Sequence, residues 1–364
     1  MRASRLLPIT LAVVGIFCLL AVAVIVIAKI HRRLAGAKSR DLLAKYRHAL
    51  IAIASDEDGD GQAKAVLYAV TTPVWERLRP RVLAFLPKVR GKAAEDLSEI
   101  LRSRGEISRA TKMLTSRSGV RRARGAYILG LVRDSNLAAL VIPLLSDDDP
   151  DVRLVAARAL GSIGEASAAG GILQALRTTH GRVGLPAWVA VEALLAMGIE
   201  IASAIETGLT SDDAVVCNVC AQVAGHGAFF STAPQLSVLL ATASESEVRA
   251  SAAMALGRVG DAEEAAVLAR HTNMSETTGL RRTCAIALGD MGRRESLATL
   301  IGLLGDNDRR LAQLAADSLV RIGADGIAQL ELAAAGELKS GQAARGALDL
   351  ARLRGQLSRT PDES

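Results

Sequence analysis

Apolar residues recur along this chain at the spacing of one helix face, in segments that resemble one another. The clearest segment is DVRLVAARALGSIG, residues 151–164. Apolar positions three, four and seven residues apart are typical of an amphipathic helix, and recurrence near 32 residues is typical of stacked helical hairpins. Further copies end at glycines that follow one another 29 to 34 residues apart: Gly198, Gly227, Gly260, Gly292 and Gly323.

Large and small side chains hold fixed positions within eight aligned copies, whose leading slot is Val152 in the clearest copy and Val89 and Val120 in two earlier ones. The large aliphatic residues eight positions after the slot are Leu97, Ile128, Leu160, Leu194, Val223, Leu256, Leu288 and Leu319. The residues five positions after it are Ala94, Gly125, Ala157, Cys220, Ala253, Ala285, Ala316 and the larger Val191. These slots share one helix face, so we expect closely approaching helices.

Each copy also contains an upstream apolar segment and a turn. Before residue 151 the segment is LAALVIPLL, residues 137–145, and the turn is SDDDP. Asp149 suits the N-cap of the second helix, Pro150 suits its first position, and Gly164 suits a left-handed C-terminal residue. The unit is therefore predicted to be helix, acidic turn, helix and glycine turn, and neighbouring units would bury each other's apolar faces.

The turn and second helix contain the signature D-x-x-V-R-x-x-A-A-x-A-L-G-x-I-G, best seen within residues 148–164. This signature resembles the HEAT-repeat superfamily, and within it the short HEAT-like repeats of phycobilisome lyases. The resemblance covers about residues 70–355. It implies an all-α fold, an α-solenoid (superhelix) of about eight to nine antiparallel helix pairs. It also implies an arginine ladder that links successive acidic turns, at Arg90, Arg121, Arg153, Arg249 and Arg281. Such a fold serves many functions, so the resemblance does not specify one.

Ile9 to Ala28 is an uncharged apolar run of twenty residues. It matches a helix that crosses about 30 Å of hydrocarbon, so residues 1–33 are predicted to be a single-pass membrane anchor. The cations that follow place the repeats in the cytoplasm and the N-terminus outside. A cleaved signal peptide ending near residues 35–37 is the alternative and would give an extracytoplasmic solenoid. We prefer the anchor, because the run is longer than a signal-peptide core and cations separate it from that site.

The remaining divisions follow from local composition. Residues 34–70 are predicted to form a juxtamembrane helical pair or cap, residues 71–355 the repeat array, and residues 356–364 a disordered tail. In the cap, the acidic loop Asp56–Asp60 matches the first half of an EF-hand calcium loop, but Leu67 stands where that loop requires Glu. A solvated acidic turn is the preferred interpretation, and calcium binding stays open.

Charge is distributed unevenly along the chain. Residues 77–124 contain fourteen Lys or Arg and four Asp or Glu, whereas residues 134–364 contain nineteen and twenty-eight. The basic stretch suits either an ordinary charged face or contact with anionic headgroups. Nucleic acid is disfavoured, because only 2% of residues are aromatic and single-strand binding relies on stacking. The candidates for anionic-surface contact are Arg77, Arg79, Arg81, Lys88, Lys92, Arg122 and Arg124.

Candidate chemistry is sparse. Cys217-x-x-Cys220, with His226 nearby, suggests a zinc site, but a second cysteine pair is missing and Cys220 aligns with small core residues. Trp188 is predicted to lie in the core, and Trp75 in the core or at an interface. The sequence contains no Walker loop, G-x-G-x-x-G, G-x-S-x-G or H-E-x-x-H motif. We therefore predict no catalytic residue, cofactor or metal ligand.

These patterns favour a membrane-anchored scaffold or adaptor and not an enzyme. The second helices of the repeats would hold a protein partner at the cytoplasmic face of the membrane. The main alternative is an accessory protein of the lyase or chaperone type that acts on a cofactor-bearing partner.

Overall fold

The computed structural model describes residues 46–55, 61–178, 183–336 and 339–355, and these are helices and short turns. Contacts divide the chain into two compact units, Met1–Ile107 and Ser108–Ser364. The division falls within the predicted array and not at its start. The anchor Ile9–Ala28, the loop Asp56–Asp60 and the tail 356–364 lie outside the described residues.

No single helix among the described residues has both the length and the apolar composition of a membrane span. The pair Ala187–Met197 and Ile199–Leu209, bent by 113°, meets both criteria when the two are taken together.

The first unit is built from short amphipathic helices. Residues 46–54 are helical and are followed by α1 (Gln62–Tyr68), α2 (Thr72–Phe85) with a 3-10 turn at Leu86–Lys88, and α3 (Lys92–Ser103). Helix α4 (Glu106–Leu114) begins in this unit and continues into the second. Trp75 is 3% exposed, and its indole N–H donates to Glu106 Oε1 at 3.0 Å, so Trp75 is a core residue.

The second unit alternates two sets of helices. The first set, which we call the stack, comprises α5 (Gly119–Val132), α7 (Pro150–Ile163), α9 (Ala187–Met197), α11 (Ala214–Gly227), α13 (Ser246–Val259), α15 (Thr278–Met291), α17 (Arg309–Ile322) and α19 (Lys339–Leu353). The covering layer comprises α6 (Ala138–Val141), α8 (Ala169–Ala175), α10 (Ala202–Leu209), α12 (Ala233–Thr242), α14 (Ala262–Arg270), α16 (Leu297–Leu303) and α18 (Ala324–Ala334). Each stack helix packs against the next one, which makes this unit an α-solenoid.

Both ends of α7 are formed by the residues that we predicted for them. The Asp149 carboxylate accepts a hydrogen bond from the Asp151 amide at 3.0 Å, and Pro150 occupies the first turn. Gly164 ends the helix with φ 77°. These groups satisfy amides and carbonyls that a helix terminus would otherwise leave unpaired.

The glycine of the repeated A-L-G motif sits where adjacent stack helices approach most closely. A Cβ added to Gly161 would lie 2.7 Å from the carbonyl oxygen of Ala193, and one added to Gly257 would lie 2.8 Å from the Cα of Ala287. Real Cβ atoms do not tolerate such distances to backbone, so the contact requires glycine. The same contact recurs between Gly130 and Ala159, Gly225 and Ala255, and Gly289 and Ser318.

In the first stack helix, α5, the repeat alignment that we predicted from the sequence is wrong by one residue. Arg133 ends α5 in the left-handed conformation (φ 54°), as Gly164 does for α7. Val120, which we placed in the leading slot, is 79% exposed. Counting back from the helix end puts Arg122, and not Arg121, in the position of Arg153. The error arose because an arginine holds the conformation in which glycine was expected.

Arginines link the turns of successive repeats. Arg249 donates through Nε to the Leu240 carbonyl at 2.8 Å and through its two terminal nitrogens to Glu276 at 2.6 and 2.9 Å. Arg281 repeats this arrangement with the Thr272 carbonyl at 2.8 Å and with Asp306. Each guanidinium thus binds a carbonyl of its own repeat and an acid of the next.

The earlier ladder positions vary this scheme. Arg122 pairs with Asp147 at 2.6 and 2.7 Å. Arg153 donates to the Asp147 carbonyl at 2.7 Å and to the Val183 carbonyl at 2.9 Å, so backbone replaces the acid. Arg121 is exposed, and Arg122 takes the role we predicted for it. Arg90 is also exposed and lies outside the helices, just before α3.

Replacing a contact glycine should destabilise the stack although alanine is the better helix former. Gly257→Ala should lower the free energy of unfolding by about 1–3 kcal/mol, because the methyl group overpacks the α13–α15 contact. Gly302→Ala on α16 is the matched control: nothing lies within 4 Å of its added Cβ, and it should stabilise by up to about 1 kcal/mol. Urea unfolding of the full chain followed by circular dichroism measures both. Equal effects of the two variants would contradict the close-contact account.

Acid should weaken the array by protonating paired carboxylates. The hydrogen bond from Arg282 lowers the pKa of Asp308 to about 2, below the value near 4 in an unfolded chain. The stabilisation is therefore present above pH 4 and is lost as the pH falls from about 4 to about 2.

Arg282→Met should accordingly reduce the loss of stability over that pH range, measured as urea midpoints. Arg294→Met, which removes an exposed pair with Asp325, should keep the wild-type pH dependence. A wild-type profile in Arg282→Met would show that the pair is not responsible.

Candidate functional site

Two aromatic side chains are exposed on stack helices separated by a single helix. Tyr127 on α5 is 47% exposed and Trp188 on α9 is 58% exposed, while α7 packs between these helices. We predicted Trp188 to lie in the core, and that is wrong. Trp188 stands in the first turn of α9, where Val189 and Ala190 are the buried residues.

An arginine of α7 holds the exposed indole in place. The Arg158 guanidinium carbon lies 5.1 Å from the centroid of the Trp188 ring. The same guanidinium pairs with Glu192 at 3.1 Å, one helical turn beyond the tryptophan. Stacking of this kind contributes about 0.5–1 kcal/mol at an exposed site, so it limits the rotamers of the indole before any partner binds. All three side chains remain exposed.

We call Tyr127, Leu154, Arg158, Trp188 and Glu192 the aromatic face. Leu154 lies one turn before Arg158 on α7 and is half-buried. Tryptophan, tyrosine and arginine are the residue types that most often dominate the energy of protein interfaces. A partner that covered the indole would gain about 2 kcal/mol from the apolar surface removed from water. The face is therefore suited to binding protein.

Later stack helices present side chains that already satisfy one another. The Gln222 amide donates to Asn218 at 3.1 Å, and Asn218 donates to Glu247 at 3.3 Å. Arg321 pairs with Asp290 at 3.1 Å across α15 and α17. Arg158 and Glu192 are paired as well, but the later stack helices contain no tryptophan, tyrosine or phenylalanine, so α5–α9 form the stronger docking candidate.

The three cysteines that the structure describes, Cys217, Cys220 and Cys284, are buried. Burial raises the pKa of Cys220 and of Cys284 to about 12, so both are thiols at neutral pH. The Cys217 thiol donates to the Ser211 carbonyl at 3.1 Å, and His226 is exposed. Metal ligation needs the thiolate form. Within the described ranges, His, Cys, Asp and Glu side chains form no cluster of three that could hold a metal ion.

In α11 the predicted repeat alignment is also wrong by one residue. Ala228 ends this helix in the left-handed conformation (φ 56°), one residue after the predicted Gly227. Counting from that end puts Ala221, and not Cys220, in the slot of Ala157. Cys217 then falls at the ladder position, where its thiol lies 3.7 Å from the carbonyl of Gly208.

The candidates for anionic-surface contact separate into two groups. Arg77, Arg81, Lys88, Lys92 and Arg124 are exposed. Arg79 and Arg122 are instead engaged within the protein, which corrects their assignment. Arg79 lies 3.5 Å from Glu106 and 3.7 Å from Glu76, and Arg122 binds Asp147. Sequence proximity placed all seven together, but the fold brings acids to only these two.

Comparisons with known proteins agree with the repeat assignment. Residues 107–194, which include the aromatic face, match the family model described as HEAT repeats. The chain therefore contains HEAT-like repeats. No curated protein matches the sequence.

Several solved structures resemble this chain at low similarity. An engineered protein is 18% identical with a TM-score of 0.38, covering 86% of this chain and 98% of its own. Human deoxyhypusine hydroxylase is 19% identical (TM-score 0.29, 78% and 98% covered). The complex of CpcE and CpcF of phycocyanin lyase from Nostoc sp. PCC7120 is 20% identical (TM-score 0.30, 70% and 90% covered). Likenesses this distant do not indicate an activity or a partner.

Fluorescence quenching should distinguish the two tryptophans. In Trp75→Phe the remaining Trp188 is exposed, and acrylamide should quench it several-fold more strongly than it quenches Trp75 in Trp188→Phe. The reason is that collision requires solvent access to the ring, and Trp75 is 3% exposed. Stern–Volmer constants for the two variants test this. Similar constants would place Trp188 in the core after all.

Proposed function

We propose that this protein is a membrane-anchored scaffold whose stack helices hold a protein partner at the cytoplasmic face of the membrane. The observation that carries the proposal is the exposed Trp188–Arg158 pair, which lies on the same HEAT-like stack as the exposed Tyr127. An exposed, oriented indole is costly to leave in water and is effective at an interface.

The stack supports binding over a broad surface. Consecutive helices lie about 8–10 Å apart, so Tyr127 and Trp188 are separated by two such intervals. The glycine contacts and the arginine ladder fix these intervals, so the face is preorganised and little ordering is needed on binding. A partner helix or strand that lay across α5–α9 would meet both aromatic side chains.

The tether is proposed from the sequence. The run Ile9–Ala28 has the length and composition of a single membrane span, and the cations that follow favour a cytoplasmic location for the repeats. Anchoring would confine the partner to the membrane surface and raise its local concentration there. N-terminal sequencing of the mature protein tests the tether, because a start after residue 33 would contradict it.

The docking face is tested by affinity capture of the full-length chain from its native membranes in mild detergent. Wild-type protein should recover a single protein in stoichiometric amount. Trp188→Ala should reduce that recovery at least tenfold, which is the effect of removing a residue worth about 1.4 kcal/mol or more. Phe230→Ala is the matched control, because Phe230 is 66% exposed but lies beside the covering layer.

The outcomes separate the candidate functions. Loss of the partner in Trp188→Ala but not in Phe230→Ala supports docking at the aromatic face. Equal recovery with both variants contradicts it. A bound pigment or other cofactor recovered in place of a protein partner would favour the accessory lyase or chaperone function.

A further inference from the structure

Exposed cations on α2 form a stripe along one side of the helix. Arg77, Arg81, Ala84 and Lys88 are spaced four, seven and eleven residues from the first, and all are exposed. At about 100° per residue this spacing keeps Arg77, Arg81 and Ala84 within one sector of α2, and the exposed Lys88 follows in the adjoining 3-10 turn. Because Ala84 is small, no bulky side chain stands between the cations. We call Arg77, Arg81 and Lys88 the basic stripe.

Four of the five acids that the structure describes in this unit contact other cations, and the fifth, Glu95, forms no ion pair with Arg77, Arg81 or Lys88. Lys64 binds Asp96 at 2.8 Å and Glu99 at 2.5 Å, and these bonds raise the pKa of Lys64. Glu76 and Glu106 lie beside Arg79 on another side of α2. The basic stripe forms no ion pair with any residue that the structure describes. Among the described residues, no ion pair neutralises these three charges.

We propose that the basic stripe binds the anionic phospholipid headgroups of the membrane leaflet next to the repeats, an inference that rests on the proposed tether. The apolar run Ile9–Ala28 ends about fifty residues before Arg77, so the tether would keep the stripe close to that leaflet. Three exposed cations within twelve residues, with no ion pair to any described residue, suit an anionic surface, and each strengthens binding by about fivefold.

The chemistry of the stripe favours lipid over nucleic acid. Single-stranded nucleic acid is held by stacking on aromatic rings as well as by charge. Trp75, the tryptophan of α2, is 3% exposed and its indole is hydrogen-bonded to Glu106, so it offers no stacking surface. A headgroup surface needs only charge. With the anchor, the stripe would supply the second of two membrane signals and would orient the first unit on the bilayer.

The experiment compares lysine acetylation in full-length protein inserted into nanodiscs of phosphatidylcholine alone or mixed with phosphatidylglycerol. Acetylation of Lys88 should slow at least about fivefold in the anionic discs, because headgroups shield the amine and lower its reactivity. Lys339, in the second unit, is the internal reference and should not change. High salt should remove the difference, because it screens exposed charges.

Paired variants identify the stripe as the cause. Arg77→Gln with Arg81→Gln should abolish the slowing at Lys88. Arg309→Gln with Arg310→Gln, which removes two exposed charges from α17, should leave it intact. Equal acetylation of Lys88 in both kinds of disc overturns the proposal. So does equal protection of Lys88 by duplex DNA in phosphatidylcholine discs, which would assign the stripe to nucleic acid.

Failure of the tether is recognised separately, as protein that elutes apart from the discs. The same full-length chain is then sedimented with phosphatidylglycerol vesicles. Wild-type protein should sediment with them and Arg77→Gln with Arg81→Gln should not. Equal sedimentation of the two proteins overturns the basic stripe, whatever the fate of the anchor.

Discussion

Close backbone approach between neighbouring stack helices is the constraint on which the second unit depends. Where Gly161 meets Ala193 and Gly257 meets Ala287, the helices leave no room for a single methyl group. Helices this close can bury only small and aliphatic side chains between them, which explains a core of alanine, leucine and valine. An aromatic ring has no place at such a contact. Trp188 and Tyr127 are therefore on the surface because the packing excludes them.

The ladder supplies the second constraint, at the turns. Each ladder group satisfies a carbonyl at the end of the preceding helix, and Arg249 and Arg281 also reach an acid of the next repeat. Arg153 meets the Val183 carbonyl where no acid is available. At Cys217 a thiol donates to the Ser211 carbonyl at 3.1 Å, six residues before it, as Arg153 donates to the Asp147 carbonyl. The recurring requirement is a hydrogen-bond donor for a buried carbonyl, and the ion pair is added to it.

Much of this architecture is predictable from sequence, and the failures have physical causes. Periodicity and the Asp149, Pro150 and Gly164 signals identify the helical hairpins, because they report local backbone chemistry. The register failed in the helices that end at Arg133 and Ala228, because a left-handed residue other than glycine leaves no sequence signal. Trp188 was misplaced because large apolar residues are usually buried, and only the fold shows which face is covered. Apart from Glu76, the acids that pair with Arg79 and Arg122 lie at least 25 residues from them in sequence. The local sequence therefore did not reveal the pairing.

The thiol at the ladder position shows that a side chain without charge can make the contact to the carbonyl. Since that position tolerates a neutral donor, exchanging a guanidinium for a thiol changes the net charge of one repeat while the contact to the carbonyl persists. The charge of a repeat is therefore not fixed by the need for a donor to this carbonyl. The acidic balance of residues 134–364 can differ from that of a repeat with arginine at the same position while the aromatic face stays unchanged.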